Sequence, residues 1–269
     1  MKLIIVTDSG IGGISTFAYL NKKFPTLDIV FFNALSGFDK RYQDLKTMKQ
    51  KAAVFNKALE GMMRFNPDHI IIACNTLSIV YPYTKFSKKK FPVLGIVDAA
   101  VDAVKKCDEV IIFGTKTTIQ QGTYRGKINK KYPKINVIQQ SCPGLAKEIG
   151  KGNVGSAKKI IRKCVSQALK KSSSTKITAS LNCTHFGYLE EYFKDEFSRN
   201  GRKVKIINPN FIMAKDLKYN LSKNSGKVQV VSKVKIPLKA IKAIRPYIEK
   251  ISSKAYIALK NYKYDPDLF

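Results

Sequence analysis

The chain has no tryptophan, only two histidines and no C-x-x-C pair among its five cysteines. Each scarcity excludes something. His69 and His185, with neither an H-x-x-x-H spacing nor a carboxylate cluster beside them, offer too few ligands for a metal centre, so no metal is expected. An odd number of scattered thiols (Cys74, Cys107, Cys142, Cys164, Cys183) argues against a disulfide framework and for reduced cysteines. No apolar stretch approaches about 18 residues, and the opening run Leu3 to Val6 is cut off by Asp8, too short for a signal-peptide core. A cytoplasmic protein with no membrane partner is the expectation.

Acidic residues are also scarce, 19 against 49 basic ones, for a formal net charge of +30. Such a charge suits a polyanionic partner held by counterion release. However, 42 of the basic residues are lysine and seven are arginine, they are spread along the chain, and no RNA or DNA motif lies among them. Nucleic acid is therefore a minor expectation.

What is present is an alternation of strand-like and helix-like patterns. Apolar β-rich runs at Leu3 to Thr7, Ile29 to Asn33, His69 to Cys74, Glu109 to Gly114, Ile135 to Gln139, Ile177 to Cys183 and Val204 to Ile207 read as buried parallel strands. Between them, Lys51 to Phe65 and Ala157 to Leu169 carry an apolar stripe of helical period, with Met62 and Met63 read as core. The alternation predicts an α/β fold of doubly wound parallel sheets with right-handed crossovers. A faint internal repeat is visible. Asp8-Ser9-Gly10 follows a strand about 65 residues before Cys74, and Gly114-Thr115 follows one about 68 residues before Cys183. Crossings near Pro92 to Val97 and at Asn208-Pro209 divide the chain into one domain of residues 1–95 plus 210–269 and a second of residues 96–209. The pattern Pro237 to Leu259 reads as one C-terminal helix rejoining the first domain.

The chemistry concentrates at two strand ends, Ala73-Cys74-Asn75-Thr76 and Asn182-Cys183-Thr184-His185. A thiol at the carboxyl end of a buried strand lies where open α/β sheets place ligands, and two of them facing one molecule suggest proton exchange at one carbon. Singly, each is more often an inert core residue. Neighbouring hydroxyls and amides, and a helix start able to lower a thiol pKa, tip the balance toward function. His185 is read as a proton relay or a helix cap. The turn Asp8-Ser9-Gly10-Ile11-Gly12-Gly13 is suited to cradling an anion at a helix start. A plain structural turn is the equal alternative, and a dinucleotide site is a distant rival, because its fingerprint needs a glycine where Ser15 stands.

Taken together, DSGIGG at 8–13, ACNT at 73–76, GTKTTIQQGTY at 114–124 and NCTH at 182–185 resemble glutamate racemase, within the aspartate/glutamate racemase superfamily. The resemblance extends more loosely to Cys142-Pro143 and to Val228 to Ile248. It implies two pseudo-symmetric domains with the active site in the cleft between them, and no cofactor, pyridoxal phosphate included. It implies that Cys74 and Cys183 exchange the Cα proton of L- and D-glutamate, assisted by Asp8 and His185 respectively, to supply D-glutamate for peptidoglycan. Substrate contacts would come from Asp8, Ser9, Tyr42, Asn75, Thr76 and Thr184.

One segment departs from the family pattern. Ser36 to Gln43 stands where a Pro-Tyr-Gly turn would receive the distal carboxylate; Tyr42 matches in part and Gln43 replaces the glycine. Lys40 or Arg41 is an alternative binder for that carboxylate. Aspartate is accordingly a rival substrate. The reading from another class is a degenerate racemase fold acting as a binding or regulatory protein, with nucleic acid or DNA gyrase as partner. A homodimer is a further expected assembly.

Overall fold

The computed structural model describes residues 2–35, 37, 42, 44–220 and 225–269. Among the described residues ten strands form two sheets, and every pairing is parallel. The first sheet holds β1 (Leu3–Asp8), β2 (Asp28–Asn33), β3 (His69–Ile72), β4 (Val93–Gly95), β9 (Val228–Ser232) and β10 (Lys263–Tyr264) in the order β10-β9-β2-β1-β3-β4. The second holds β5 (Glu109–Gly114), β6 (Asn136–Ser141), β7 (Lys176–Asn182) and β8 (Lys203–Ile207) in the order β6-β5-β7-β8.

The apolar runs become strands because both faces of each sheet are covered, which rewards continuous Ile, Val and Phe. On β1, Ile4 and Val6 pack with Phe17, Ile241 and Leu259 on one face. Ile5, between them, packs with Phe55, Leu59 and Met62 on the other. The second sheet repeats this: Ile111 and Phe113 meet Ile161 and Phe193, while Val110 and Ile112 meet Tyr124 and Ile128. The helix Ile96–Ala103 belongs to both halves, since Ile96 joins the first core and Ala100 and Val101 the second.

In each sheet the first strand lies between its second and third, so the winding reverses there, and that switch point is where such sheets bind ligands. The registers match. Thr7 pairs with Ile72 and Gly114 with Asn182, so continuing each ladder sets Cys74 beside Ser9 and Cys183 beside Thr115. The internal repeat is thus a structural one, with Asp8 and Gly114 in equivalent places.

Three elements differ from the sequence reading. β3 stops at Ile72, and Cys74 instead caps the helix Asn75–Val80. Val93–Gly95 is a strand at the sheet edge, half exposed and too short to show a buried pattern. The C-terminal helix is two, Leu238–Ile251 and Ser253–Lys260, because Ser252 turns extended and its hydroxyl accepts from the Ala255 amide at 3.1 Å.

Candidate active site

Both thiols sit just past the carboxyl ends of central strands. Cys74 is buried; its Sγ accepts from the Leu77 amide at 3.4 Å and lies 3.3 Å from Ser9 Oγ. Cys183 follows β7 directly and is equally buried. A helix start was expected to lower these thiols, but burial outweighs it. Burial, with the Asp8 charge adding to it, pushes the Cys74 thiol well above the usual range. Burial, aided by the Asp8 charge, pushes Cys183 up to about 12 against the backbone amides of His185 and Phe186, which pull it down. Burial therefore favours the neutral thiol at both cysteines.

Asp8 ends β1 and is 1% exposed. Thr184, from the second half, donates its hydroxyl to Asp8 Oδ2 at 2.6 Å, and the backbone amides of Ser9 and Gly13 also donate to the carboxylate. Desolvation nonetheless wins over these donors and lifts the carboxyl pKa to about 6. Asp8 is mostly ionised at neutral pH and is hydrogen-bonded with the Cys74 thiol.

The glycine-rich turn after β1 serves close approach. A Cβ on Gly12 would lie 2.3 Å from Thr184 Oγ1 and 2.5 Å from His185 Nδ1; one on Gly13 would lie 2.8 Å from Asp8 Cβ. Only glycine lets this turn press against the segment that carries Cys183. The expected anion cradle is therefore occupied from within, since the Gly13 amide serves the carboxylate of Asp8. His185 is buried against the same turn, with Gly10 and Gly150 also facing its ring.

The structure brings all nine residues singled out from the sequence to the lining of one cavity: Asp8, Ser9, Tyr42, Cys74, Asn75, Thr76, Cys183, Thr184 and His185. Thr184 faces Asp8 with its hydroxyl, while Thr76 Oγ1 lies 3.3 Å from Thr115 Oγ1 and 3.5 Å from Thr118 Oγ1. Tyr42 packs its ring edge-on to Phe55, and its hydroxyl has no partner among the described residues. Lys40 and Arg41, the alternative anchors for a distal carboxylate, lie outside the described residues. Cys142 and Cys164 are buried in the second core, away from the cavity lining.

Sequence reasoning missed Thr115 and Ala146, which complete the lining, and Thr118 and Tyr124 behind it. A signal for Thr115 existed: it holds in the second sheet the place Ser9 holds in the first. Among the described residues no cluster of three or more His, Cys, Asp or Glu side chains could hold a metal ion, and no helix is long and apolar enough to cross a membrane.

Residues 18–217 match the Asp/Glu/Hydantoin racemase family. The chain is 27% identical over 237 residues to glutamate racemase 3 of Caldanaerobacter subterraneus subsp. tengcongensis, covering 83% of each protein. It is 30% identical over 196 residues to the glutamate racemase of Persephonella marina, covering 70% of this chain and 72% of the relative. Among solved structures it resembles glutamate racemase from Francisella tularensis in complex with D-glutamate, with a TM-score of 0.77, 24% identity, and 92% and 94% of the two chains covered.

Proposed function

The chain belongs to the Asp/Glu/hydantoin racemase family, and from that premise we propose that it is a cofactor-independent glutamate racemase. The observation that carries this reading is the pair of buried thiols, one from each sheet, on the wall of one small cavity. The relatives named as glutamate racemases support glutamate as the substrate.

The two thiols, the carboxylate and the imidazole divide the work. One cysteine, as thiolate, removes the Cα proton; the other, as thiol, delivers a proton to the opposite face. Cys183 acts as base on L-glutamate and Cys74 on D-glutamate. Burial and the Asp8 charge oppose both thiolates. Substrate supplies what is missing: its ammonium brings a positive charge beside Asp8, relieving the repulsion between that carboxylate and a thiolate. Asp8, with its pKa near that of the medium, assists Cys74 through Ser9; His185, next but one to Cys183, assists the second thiol. The hydroxyls and amides of Ser9, Asn75, Thr76 and Thr184 receive the α-carboxylate and amino groups. Tyr42, whose hydroxyl has no partner among the described residues, receives the distal carboxylate. Exclusion of water strengthens each of these contacts as charge develops at Cα. D-Glutamate so formed would enter peptidoglycan.

Turnover of L-glutamate in deuterium oxide is expected to place deuterium at Cα, and Cys74→Ser and Cys183→Ser are each expected to cut racemisation by at least about a hundredfold. Full activity in both variants would overturn the two-base reading. Circular-dichroism assays with glutamate and aspartate in parallel decide the substrate, and racemisation of aspartate alone would overturn glutamate.

A further inference from the structure

Asn75 is left with a donor and no acceptor. It lies between Cys74 and Thr76 on the cavity wall, 2% exposed, and its Nδ2 has no hydrogen-bond partner among the described residues. Its Oδ1 accepts the hydroxyl proton of Tyr124. The carboxamide is planar, so fixing the oxygen fixes where the nitrogen points.

Tyr124 reaches Asn75 from the other half of the molecule. It stands in the first turn of the helix Thr123–Lys131, and its ring is buried with Val110, Ile112 and Ile128 under the second sheet. Gly122, with φ of +65°, turns the chain into that helix. A phenol can donate or accept, so its protonation matters. Burial pushes the Tyr124 hydroxyl far above its ordinary range, against a hydrogen bond with Asn182 that pulls it down, and charge on Cys74 or Cys183 pushes it further up. The hydroxyl therefore keeps its proton, and it donates that proton in a hydrogen bond to the oxygen of Asn75.

We propose that Tyr124 is a positioning residue: by holding Asn75 Oδ1 it turns Nδ2 into the cavity as the donor that receives the α-carboxylate of the substrate. This rests on the amino-acid racemase reading above. An NH₂ group welcomes a carboxylate and repels an ammonium, so the same contact sets which way round the amino acid lies between the thiols. One hydroxyl thereby couples the second half of the chain to the residue adjoining the thiol of the first.

The test is a double-variant cycle read by equilibrium binding of D-glutamate, with KM and kcat measured alongside. Tyr124→Phe keeps the ring and removes the hydroxyl. It is expected to weaken binding about tenfold and raise KM by a similar factor, with a smaller fall in kcat. In an Asn75→Ala background the same substitution is expected to add less than about twofold, because the group it positions is gone. Unchanged binding in Tyr124→Phe would overturn the proposal. So would a full tenfold loss in the Asn75→Ala background, which would mean that Tyr124 acts through packing. Thermal midpoints of all three variants identify any loss due to unfolding. A wild-type protein that binds glutamate without racemising it would tell against the racemase reading alone, since the binding cycle still reads the positioning role. Absence of glutamate binding in the wild type would overturn both.

Discussion

Asp8 is the residue whose chemistry and stability pull in opposite directions. Its native pKa of about 6 stands above the ordinary carboxyl value of 3.8. The unfolded chain therefore loses its proton first as pH rises. Stability falls between about pH 4 and pH 6 and stays lower above that, by roughly 3 kcal/mol for a shift of this size. Asp8→Asn is accordingly expected to raise the thermal midpoint at pH 7 to 8 and to leave it unchanged near pH 4, as scanning calorimetry at both values would read. Racemisation by the variant should drop at least about a hundredfold. In the wild type, kcat/KM should decline on the acid side as pH passes below about 6, where the carboxylate gains its proton. An unchanged midpoint at neutral pH would mean that the buried charge costs nothing.

The elements show how tightly the two strand ends must meet. The Gly12 position leaves no room for a methyl group against Thr184 Oγ1 and the His185 backbone. Gly12→Ala should therefore separate the turn from the second half and lower kcat by at least about tenfold, because misplacement of catalytic groups by about 1 Å costs that much or more. Gly126→Ala is the matched control. Its Cβ would meet nothing within 4 Å on the exposed side of a helix, and it should stabilise the protein by about 0.5–1 kcal/mol with activity retained. Strands and thiols were legible in the sequence because buried parallel strands show as unbroken apolar runs, and because cysteine, asparagine and threonine stand together at the ends of two of them. The purpose of the glycines was not legible, since it depends on a neighbour about 170 residues away. Nor was the break at Ser252: the apolar stripe continues past it, and only the local serine cap interrupts the backbone. Thr115 and Tyr124 escaped because a hydroxyl beside a site has no periodicity of its own.

Across the whole molecule the halves are joined at the site itself. Thr184 reaches Asp8, Asn210 Nδ2 donates to both Ser15 Oγ and the Thr184 carbonyl at 2.9 Å, and Tyr188 donates to the Ile11 carbonyl at 2.6 Å. The helix Ile96–Ala103 shares both cores. The net charge of +30 also belongs to this scale, and it is expected to raise the local concentration of an anionic substrate. The apparent KM for glutamate is expected to rise several-fold from low to moderate salt while kcat holds, and a KM independent of salt would remove any steering role for the lysines. The equivalence of Asp8 with Gly114 carries the last consequence. The first thiol has a carboxylate at its strand end and the second has none, so the two directions of turnover run through unlike machinery. Mirror-image amino acids have the same free energy, and no arrangement of helpers can tilt that balance. Time courses begun from either pure enantiomer must finish at equal amounts. The lopsided pair of strand ends can appear only in how each direction saturates, with unequal kcat and unequal KM whose quotient is the same both ways.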